Sequence, residues 1–340
     1  MNTRLSGLLS RIQPRMRDVV GIDIGSSGTK AVRVRADRSG QFTVVAAGLL
    51  PRIDLASSGG GITPLQLPKP LQAWSAAIAC SFPQASVKLL TMPADKIEGT
   101  AFAELLGVPR PPETRIGHLA FEGESRTEVP VMAVGVPSAD VKRLIDLLPA
   151  GGRPALGSVE VSSLAALSLH LRRGVQPDQK GCDLVIDAGE QITTMTLCYR
   201  DRPLVFRQFP QGAAAVTEQI VTDLGVDSAT AADILHNGAF DVRASLRRVF
   251  DAFLRQLGIA VDFAERRSGQ RLQRVLLTGG LAVNSDLCAE LLSQVGLKPE
   301  VVSPWNGMTV AQNALPNLTK GQEATFAAAT GAALNLLDVA

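Results

Sequence analysis

The stretch that decides the fold is VVGIDIGSSGTK, residues 19–30. The apolar run at 19–24 predicts a buried strand, and residues 31–35 alternate between apolar and basic side chains as a second strand does. Residues 25–30, with two glycines and three hydroxyl side chains, predict the hairpin turn between them. Such a turn directs backbone N–H groups and hydroxyls at one point, which makes an anion site, and Lys30 adds a positive charge for a phosphate.

Asp23 stands just before this turn and is well placed to hold Mg²⁺ through water, because Mg²⁺ keeps several of its own waters when carboxylates bind it. The turn is not a Walker loop, since Gly-Lys-Ser/Thr is absent and a strand rather than a helix follows. It is not a dinucleotide-binding fingerprint either. For this turn taken alone, an ordinary β-hairpin with a serine-rich turn remains the alternative.

Two further glycine turns lie in the second half of the chain. Residues 187–194, DAGEQITT, repeat the Asp-x-Gly pattern. With two such turns, two lobes can face each other across one phosphate chain and one metal ion. The pair of turns indicates such a site more strongly than either turn alone. Residues 277–284, LTGGLAVN, end a buried strand with two glycines. A backbone without side chains can lie flat against a purine, with Asn284 available for a hydrogen bond; a plain strand-to-helix turn is the alternative.

Both halves of the chain follow the order strand, Asp, glycine turn, strand, strand, helix. This order predicts a divergent internal duplication and a two-lobed α/β molecule with a cleft between the lobes. Between the halves, residues 85–150 read as a small subdomain of two helices and two or three strands. The predicted strands are at 19–24, 31–35, 41–50, 87–91, 118–121, 129–136, 184–189, 193–199, 203–209 and 275–280. The predicted helices are at 71–81, 95–106, 139–148, 212–224 and 324–337, and residues 227–267 are predicted to be mostly helical.

Composition excludes several other classes of protein. Hydrophobic residues make up 46% and charged residues 19%, as in soluble globular chains. A net charge of +2 gives no overall positive field that would attract nucleic acid, and 4% aromatic residues leave little surface on which bases could stack. Four scattered cysteines and three histidines form no recognisable zinc motif, and free thiols in a reducing compartment are expected. No apolar run reaches the ~18 residues of a spanning helix, and residues 1–17 lack the apolar region of a signal peptide.

At this point the residues carry a family resemblance. The order of the three turns resembles the actin, Hsp70 and sugar-kinase superfamily and, more narrowly, the PilM family of type IV pilus assembly. The most similar stretches are 21–34, 183–220 and 274–287, and residues 86–93 and 130–148 resemble the inserted 1C subdomain of that family. The resemblance covers nearly the whole chain from residue 18 to residue 337.

The resemblance implies an actin-like two-lobed ATPase fold, built from duplicated ribonuclease-H-like domains with an inserted 1C-type subdomain. It implies a leader at 1–17, a first lobe at 18–84 completed by about 153–178 and 322–340, the insert at 85–152, and a second lobe at 179–321 with a short helical subdomain at about 226–271. It also implies ATP and Mg²⁺ in the cleft. The residues that would bind them are Asp23, Gly25, Ser26, Ser27, Thr29, Lys30, Asp187, Gly189, Gly212, Gly279, Gly280 and Asn284, with Asp23 and Asp187 on the metal side.

The resemblance further implies a cytoplasmic adaptor peripheral to the inner membrane, in a type IV pilus or a related secretion platform. Its partner would be the short N-terminal tail of a PilN-like inner-membrane protein, held in a groove beside the insert. Strands 87–91 and 129–136 are candidates for pairing with the tail, and the helix at 95–106 for a wall. Other platform proteins and possible self-association complete the expected contacts; nucleic acid is not among them, and the membrane is reached only through the partner.

Two other functions stay open. One is a small-molecule kinase of the same superfamily, although no Asp is identifiable as the base that a kinase uses. The other is a filament former similar to FtsA, although the chain shows no basic amphipathic helix after residue 337. The family's usual Glu-x-x-Arg-Ser-Leu-like helix near the adenine has its nearest counterpart in QLGIAV at 256–261. Hydrolysis of ATP is expected to be slow or absent, with Glu190 and Glu218 as candidates for orienting water.

Overall fold

The structure is a computed structural model, and it describes residues 17–53, 55, 64–121, 128–149, 152–172, 180–238, 240–315, 318 and 322–339. The predicted leader, apart from Arg17, lies outside the described residues. Among those residues, no helix combines the length and the apolar character needed to cross a lipid bilayer.

The described residues form three β-sheets and the helices that cover them. The strands are β1 (Asp18–Gly25), β2 (Gly28–Ala36), β3 (Phe42–Leu50), β4 (Ser75–Cys80), β5 (Ser86–Pro93), β6 (Thr114–Ala120), β7 (Glu128–Pro137), β8 (Ala155–Val161), β9 (Cys182–Ala188), β10 (Thr193–Tyr199), β11 (Arg202–Phe209), β12 (Leu272–Thr278), β13 (Glu300–Val301) and β14 (Thr309–Val310). The helices are α1 (Phe102–Leu106), α2 (Ser138–Asp146), α3 (Ser162–Arg172), α4 (Ala213–Leu224), α5 (Ser228–Asn237), α6 (Arg243–Ser268), α7 (Ser285–Val295) and α8 (Ala327–Val339).

Two of the sheets repeat one strand order. The first sheet runs β14-β3-β2-β1-β4-β8 and the second runs β11-β10-β9-β12-β13. In each, three successive antiparallel strands form a meander, and two further strands extend the sheet in parallel beyond the first strand of that meander. In the first sheet β14 also adds in parallel beside β3, at the other edge. β9 therefore corresponds to β1, β10 to β2 and β11 to β3. The predicted internal duplication is confirmed at the level of topology.

The first sheet is buried on both faces. On one face Val19, Ala77 and Ala79 pack against α3 and α8, and on the other Ile22 and Ile78 pack with residues that follow β3 and with the end of the insert. α8 lies so close to β1 that a Cβ at Gly21 would stand 1.8 Å from the Ala329 carbonyl oxygen. Glycine at this position is what lets the closing helix, predicted at 324–337, reach the sheet.

The second sheet has its core on the face covered by α4, α5, α6 and α7. Phe250 and Phe253 of α6 are almost fully buried there, with Ile220 of α4. On its opposite face Val185 and Phe206 pack with Leu167 of α3 and with Met132 of β7. α3 and the insert therefore connect the two large sheets.

The inserted sheet has the order β5-β7-β6, so β7 is its central strand. Phe102 and Leu106 of α1 pack against Val131 and Ala133 on one of its faces. α2 takes the insert back to the first sheet, where Leu144 is fully buried among the residues of that core. The segment thus holds a three-stranded sheet with α1 on one face, and α2 follows its central strand β7.

The predicted helix at 71–81 is wrong. A 3-10 turn at Lys69–Leu71 is followed by β4, which is buried throughout and pairs in parallel with both β1 and β8. Small side chains on both faces explain the error: Ala77 and Ala79 face α3 and α8, while Ala76 and Ile78 face the other core. An alanine-rich strand covered on both faces has no alternation that would distinguish it from a buried helix.

The predicted helix at 95–106 is mostly wrong. The chain forms a 3-10 turn at Ala94–Lys96 and then only the short helix α1. Gly99 lies between the two pieces, and glycine costs a helix interior roughly 1 kcal/mol relative to alanine. The predicted stop at Gly107 is correct, since this residue takes a left-handed conformation at the end of α1.

A buried ionic cluster ties α3 to the second sheet. Asp183, fully buried at the start of β9, accepts two hydrogen bonds from the Arg274 guanidinium, from Nε at 2.9 Å and from Nη2 at 2.6 Å. His170 of α3 places its Nε2 3.2 Å from the same carboxylate. These partners hold the pKa of Asp183 below its usual value against the effect of burial. The contact lies where the chain passes from the first sheet to the second.

Candidate functional site

The first turn, residues 23–30, closes the hairpin between β1 and β2. Strand register places Asp23 opposite Lys30, so the two side chains project from the same face of the hairpin. Lys30 is 8% exposed, and its Nζ donates to Ser27 Oγ at 2.8 Å and to the Gly28 carbonyl oxygen at 3.4 Å. The ammonium group is therefore held against the tip of the turn, beside the hydroxyls that were predicted to bind phosphate.

Gly25 keeps the approach to these charges open. A Cβ at this position would lie 3.4 Å from Lys30 Nζ and 3.6 Å from Asp23 Oδ2. The first turn is thus a cradle that any larger residue at position 25 would partly fill. A phosphate oxygen is the kind of group that such a cradle of N–H, hydroxyl and ammonium donors accepts.

Asp23 is held by a residue that sequence analysis missed. Its Oδ1 accepts a hydrogen bond from Ser162 Oγ at 2.6 Å. Burial raises the pKa of Asp23, and the charge of Lys30 and the Ser162 hydrogen bond oppose that rise. Serine after a strand is a helix-start signal, and Ser162 does begin α3. No local pattern could have joined it to Asp23, which lies 139 residues earlier.

The second turn, residues 187–194, has the same construction between β9 and β10. Asp187 pairs with Thr194 in the strand register, as Asp23 pairs with Lys30. The pKa of Asp187 is raised to about 7, chiefly by burial and then by the nearby charge of Asp23, while the charge of Lys30 opposes the rise. Asp23, Asp187 and Lys30 line the same cavity, and the charges of Asp23 and Lys30 act on Asp187.

The third turn, residues 277–284, packs directly on the second. Gly279 has a φ of 89°, which favours glycine, and a Cβ there would stand 2.5 Å from the Ala188 carbonyl oxygen and 2.8 Å from Asp187 Oδ1. A Cβ at Gly280, in contrast, would meet no atom within 4 Å. Gly279 lets the third turn approach the second, and Gly280 leaves a bare stretch of backbone facing open space.

A cavity of about 560 Å³, here called the interlobe cavity, lies between the two large sheets. Helix beginnings line it as well as the three turns: Ser162 and Ser163 of α3, Ala213 of α4, and Ala327 and Ala328 of α8. Helix N-termini favour negative charge. The cavity brings together most of the predicted site residues, namely Asp23, Gly25, Ser26, Ser27, Lys30, Asp187, Gly189, Gly279 and Gly280.

Three predicted site residues do not line the interlobe cavity. Thr29 is fully buried, and its hydroxyl has no hydrogen-bond partner among the described residues. Gly212 supports the second turn from behind, because a Cβ there would stand 2.5 Å from the carbonyl oxygens of Gly189 and Glu190. Asn284 caps α7: its Oδ1 accepts from the Leu287 N–H and its Nδ2 donates to the Leu235 carbonyl, each at 2.9 Å.

The wall near the third turn contains residues that sequence analysis did not single out. His236 and Asn237, at the end of α5, line the interlobe cavity together with Val283. The stretch at 256–261, considered as the counterpart of an adenine-side helix, lies within α6, and α6 contributes no residue to the cavity lining. A histidine at the end of a helix is a common basic C-terminal residue, so no local signal pointed to His236 as a wall of the cavity.

The donor set fits a nucleotide with Mg²⁺. No cluster of three or more His, Cys, Asp or Glu side chains able to hold a metal is present in the described ranges. Two carboxylates alone suit Mg²⁺, which is commonly bound through one or two carboxylates, waters and the phosphates of a nucleotide. The volume of about 560 Å³ lies within the range of small-molecule sites.

Two sheets with one strand order, facing each other across a cavity lined by paired Asp-x-Gly turns, define an actin-like ATPase fold. Within that class, the family model described as type IV pilus assembly protein PilM matches residues 123–336, and the chain belongs to this family. The predicted fold and the predicted family are both confirmed. A search of curated proteins gives no significant match.

A solved structure supports the same fold. The chain is similar to a chain of a PilM-PilN type IV pilus biogenesis complex, with 21% identity over 95% of this chain and 99% of that one and a TM-score of 0.77. It is more distantly similar to a Bacteroides thetaiotaomicron protein of actin-like ATPase fold, with 10% identity, 85% and 92% coverage and a TM-score of 0.46. MreB 5 of Spiroplasma citri bound to AMPPNP gives 12% identity, 94% and 95% coverage and a TM-score of 0.45.

Proposed function

We propose that the protein is an ATP- and Mg²⁺-binding adaptor of a type IV pilus inner-membrane platform, which works at the cytoplasmic face and recruits the N-terminal tail of a PilN-like membrane protein. Nucleotide binding is proposed because the first turn, Asp187 and the third turn converge on one cavity. The role in pilus assembly is proposed because the chain belongs to the PilM family.

In the proposed complex the phosphates lie on the first turn. The hydroxyls of Ser26 and Ser27 and the ammonium of Lys30 offer donors on the side of the cavity where Gly25 leaves room. Charge-assisted hydrogen bonds of this kind are roughly twice as strong as neutral ones. The adenosine lies toward the third turn, where Gly280 presents bare backbone.

Asp23 and Asp187 take the metal side of the site, through water. Bound Mg²⁺ supplies positive charge that offsets the phosphate oxygens and the two carboxylates. Ser162 fixes Asp23 Oδ1, which leaves Oδ2 for that role. Glu190 lines the interlobe cavity and remains a candidate for orienting water, whereas Glu218 is exposed on α4 and does not line it. We therefore propose slow or absent hydrolysis.

The nucleotide site is tested by titrating a fluorescent ATP analogue with Mg²⁺ into the wild type, Lys30→Ala and Lys298→Ala. Loss of the ammonium should weaken binding roughly 10- to 100-fold, since a hydrogen bond to a charged group is worth about 1.5–3 kcal/mol. Lys298 is exposed and does not line the interlobe cavity, so its substitution is the matched control. Equal affinity in all three proteins, or binding in none, contradicts the assigned site.

For the partner, we propose the outer edge of β6. Of the predicted pairing strands, β7 already has a neighbour on each side, so it has no free edge. β5 lies close to the second sheet, with Val87 and Leu89 packed near Phe206. In the described part of the chain β6 has a partner on one side only, and its Leu119 is 60% exposed. An extended tail can add to such an edge and cover that leucine.

The tail site is tested with point variants. Deleting residues 87–148 would remove Leu144 from the core of the first sheet, so the loss of binding would be uninformative. Leu119→Glu should abolish the binding of a synthetic tail peptide, for which micromolar affinity (about −8 kcal/mol) is expected. Leu224→Glu, at a 50% exposed leucine of α4, is the matched control. Unchanged binding by Leu119→Glu contradicts docking on β6.

A further inference from the structure

The part of the interlobe cavity near the third turn differs in chemistry from the part near the charged turns. It is walled by His236 and Asn237 at the end of α5 and by Gly280 and Val283 of the third turn. Val283 is a 49% exposed apolar side chain, and Gly280 carries no side chain to obstruct a ligand. A flat aromatic group suits such a wall, because its faces contact apolar surface and backbone while its edge needs polar partners.

One polar group of this wall has a defined hydrogen-bonding direction. His236 Nδ1 lies 2.7 Å from the carbonyl oxygen of Ala232, one helical turn earlier. A carbonyl oxygen only accepts, so in the neutral ring Nδ1 must carry the hydrogen. Nε2 then bears a lone pair and can only accept. The described residues provide no hydrogen-bond partner for Nε2, and His236 is exposed.

We propose that His236 reads the base of the bound nucleotide: its Nε2 accepts a hydrogen bond from the exocyclic 6-amino group of adenine. This inference rests on the nucleotide site proposed above and adds the residue that selects the base. A 6-oxo purine presents an acceptor at the same position. Its oxygen and Nε2 would then face each other as two acceptors, which form no hydrogen bond. α5 thereby takes the base-facing role, since α6 does not line the cavity.

Asn237 does not provide the same selection. A side-chain amide carries both a donor and an acceptor and turns to suit either kind of base. His236 Nε2 can only accept, and a bound base covers it from water. A mismatched 6-oxo group then costs both acceptors their hydrogen bonds to water without giving them another, and this loss rejects the analogue.

The test compares ATP with ITP, which differs from it by a 6-oxo group in place of the 6-amino group. Equilibrium binding of each, with Mg²⁺, is measured for the wild type and His236→Phe. The wild type should prefer ATP about tenfold, as expected for one hydrogen bond. In His236→Phe, which keeps a ring but loses the acceptor, the preference should fall to less than about twofold.

Two further variants sharpen the result. In His236→Gln the new side-chain amide can turn its donor toward a 6-oxo group, so the preference for ATP should fall as it does in His236→Phe. His118→Phe is the matched control: this histidine stacks on Phe102 in the inserted subdomain and does not line the cavity, so the preference should be unchanged. Equal binding of ATP and ITP by the wild type, or a full tenfold preference in His236→Phe, overturns the role of His236 and leaves the nucleotide site standing. Binding of neither nucleotide contradicts the nucleotide site itself.

Discussion

The first and second turns are built on one backbone plan and carry different chemistry. Each turn joins the first two strands of its meander, and each has an aspartate followed two residues later by glycine. In the strand register this aspartate lies opposite one residue of the second strand. In the first turn the residue opposite is Lys30, and in the second it is Thr194. Duplication has thus preserved the scaffold while the side chains at equivalent positions have diverged.

The surroundings of the two turns explain what each can do. The tip of the first turn, at Ser26 and Ser27, faces the interlobe cavity, and the Lys30 ammonium lies beside it. The second turn is held from behind by α4, whose Ala213 and Ala214 N–H groups donate to the carbonyl oxygens of Gly189 and Glu190 at 3.0 and 2.9 Å. The first turn therefore supplies donors for an anion, and the second supplies a carboxylate in a rigid frame.

The largest effect is expected at the strand position that precedes each turn by two residues. Gly21 of β1 corresponds to Val185 of β9. The backbone of α8 lies directly against Gly21, whereas Val185 packs with the side chain of Leu167. Gly21→Val, which makes the first sheet resemble the second, should cost about 4 kcal/mol or more, because the new side chain clashes with α8 backbone. Chemical denaturation measures this loss.

The matched control for that variant is Gly258→Ala in α6. A Cβ there would meet no atom within 4 Å, so the change should stabilise the protein by about 0.5–1 kcal/mol through helix propensity. If Gly21→Val unfolds at the same denaturant concentration as the wild type, the close approach of α8 to β1 is wrong.

A second effect concerns Asp187 and pH. Its folded-state pKa of about 7 exceeds the ~3.9 of an unfolded aspartate, so the folded protein binds more protons than the unfolded chain between these values. The free energy of unfolding of the ligand-free protein therefore falls, through this group, as pH rises from about 4 to 7. Asp187→Asn should be more stable than the wild type at about pH 8, by no more than about 4 kcal/mol, and similar to it near pH 4.

Denaturation of both proteins across this pH range checks the prediction. Asp95→Asn, at an exposed position of the insert, is the control and should stay within about 0.5 kcal/mol of the wild type at every pH. If the wild type is as stable as Asp187→Asn at about pH 8, burial of the ionised Asp187 carboxylate does not destabilise the folded protein, and the prediction is wrong.

The smallest effect separates the two turns directly. Thr194→Ala removes the second turn's counterpart of Lys30 while leaving every charge in place, so the affinity for Mg²⁺ and the ATP analogue should change by less than about threefold. The drop predicted for Lys30→Ala is at least several times larger. Equal losses in the two variants, measured by the same fluorescence titration, would mean that the turns share phosphate binding equally.

The turns and their strands could be predicted because their signals are local. Glycine, aspartate and short apolar runs act within a few residues, and residues 19–30 and 187–194 both fold as their patterns indicate. β4 could not be predicted in the same way. Ala76, Ala77 and Ala79 lack the alternation of apolar and polar side chains that marks a strand with one buried face. β4 is a strand because both of its faces are covered by other parts of the fold.

The candidate site shows the same limit. Gly279 and Gly280 were predicted from their local pattern, and they do line the interlobe cavity. Ser162 and His236 come to that cavity from α3 and α5, and their contribution depends on tertiary packing that no window of sequence contains. Asn284 was expected to face adenosine but serves as a helix cap, a role that asparagine before a helix fills often.

The central claim is that both lobes hold one nucleotide and one Mg²⁺ between them. Isothermal titration calorimetry of ATP, with and without Mg²⁺, into the wild type, Asp23→Asn and Asp187→Asn tests it most directly. We predict one nucleotide per chain, a rise in affinity of about tenfold or more when Mg²⁺ is present, and loss of that rise in both variants. Affinity that does not respond to Mg²⁺, or a response lost in only one of the two variants, would contradict a metal shared between the two turns.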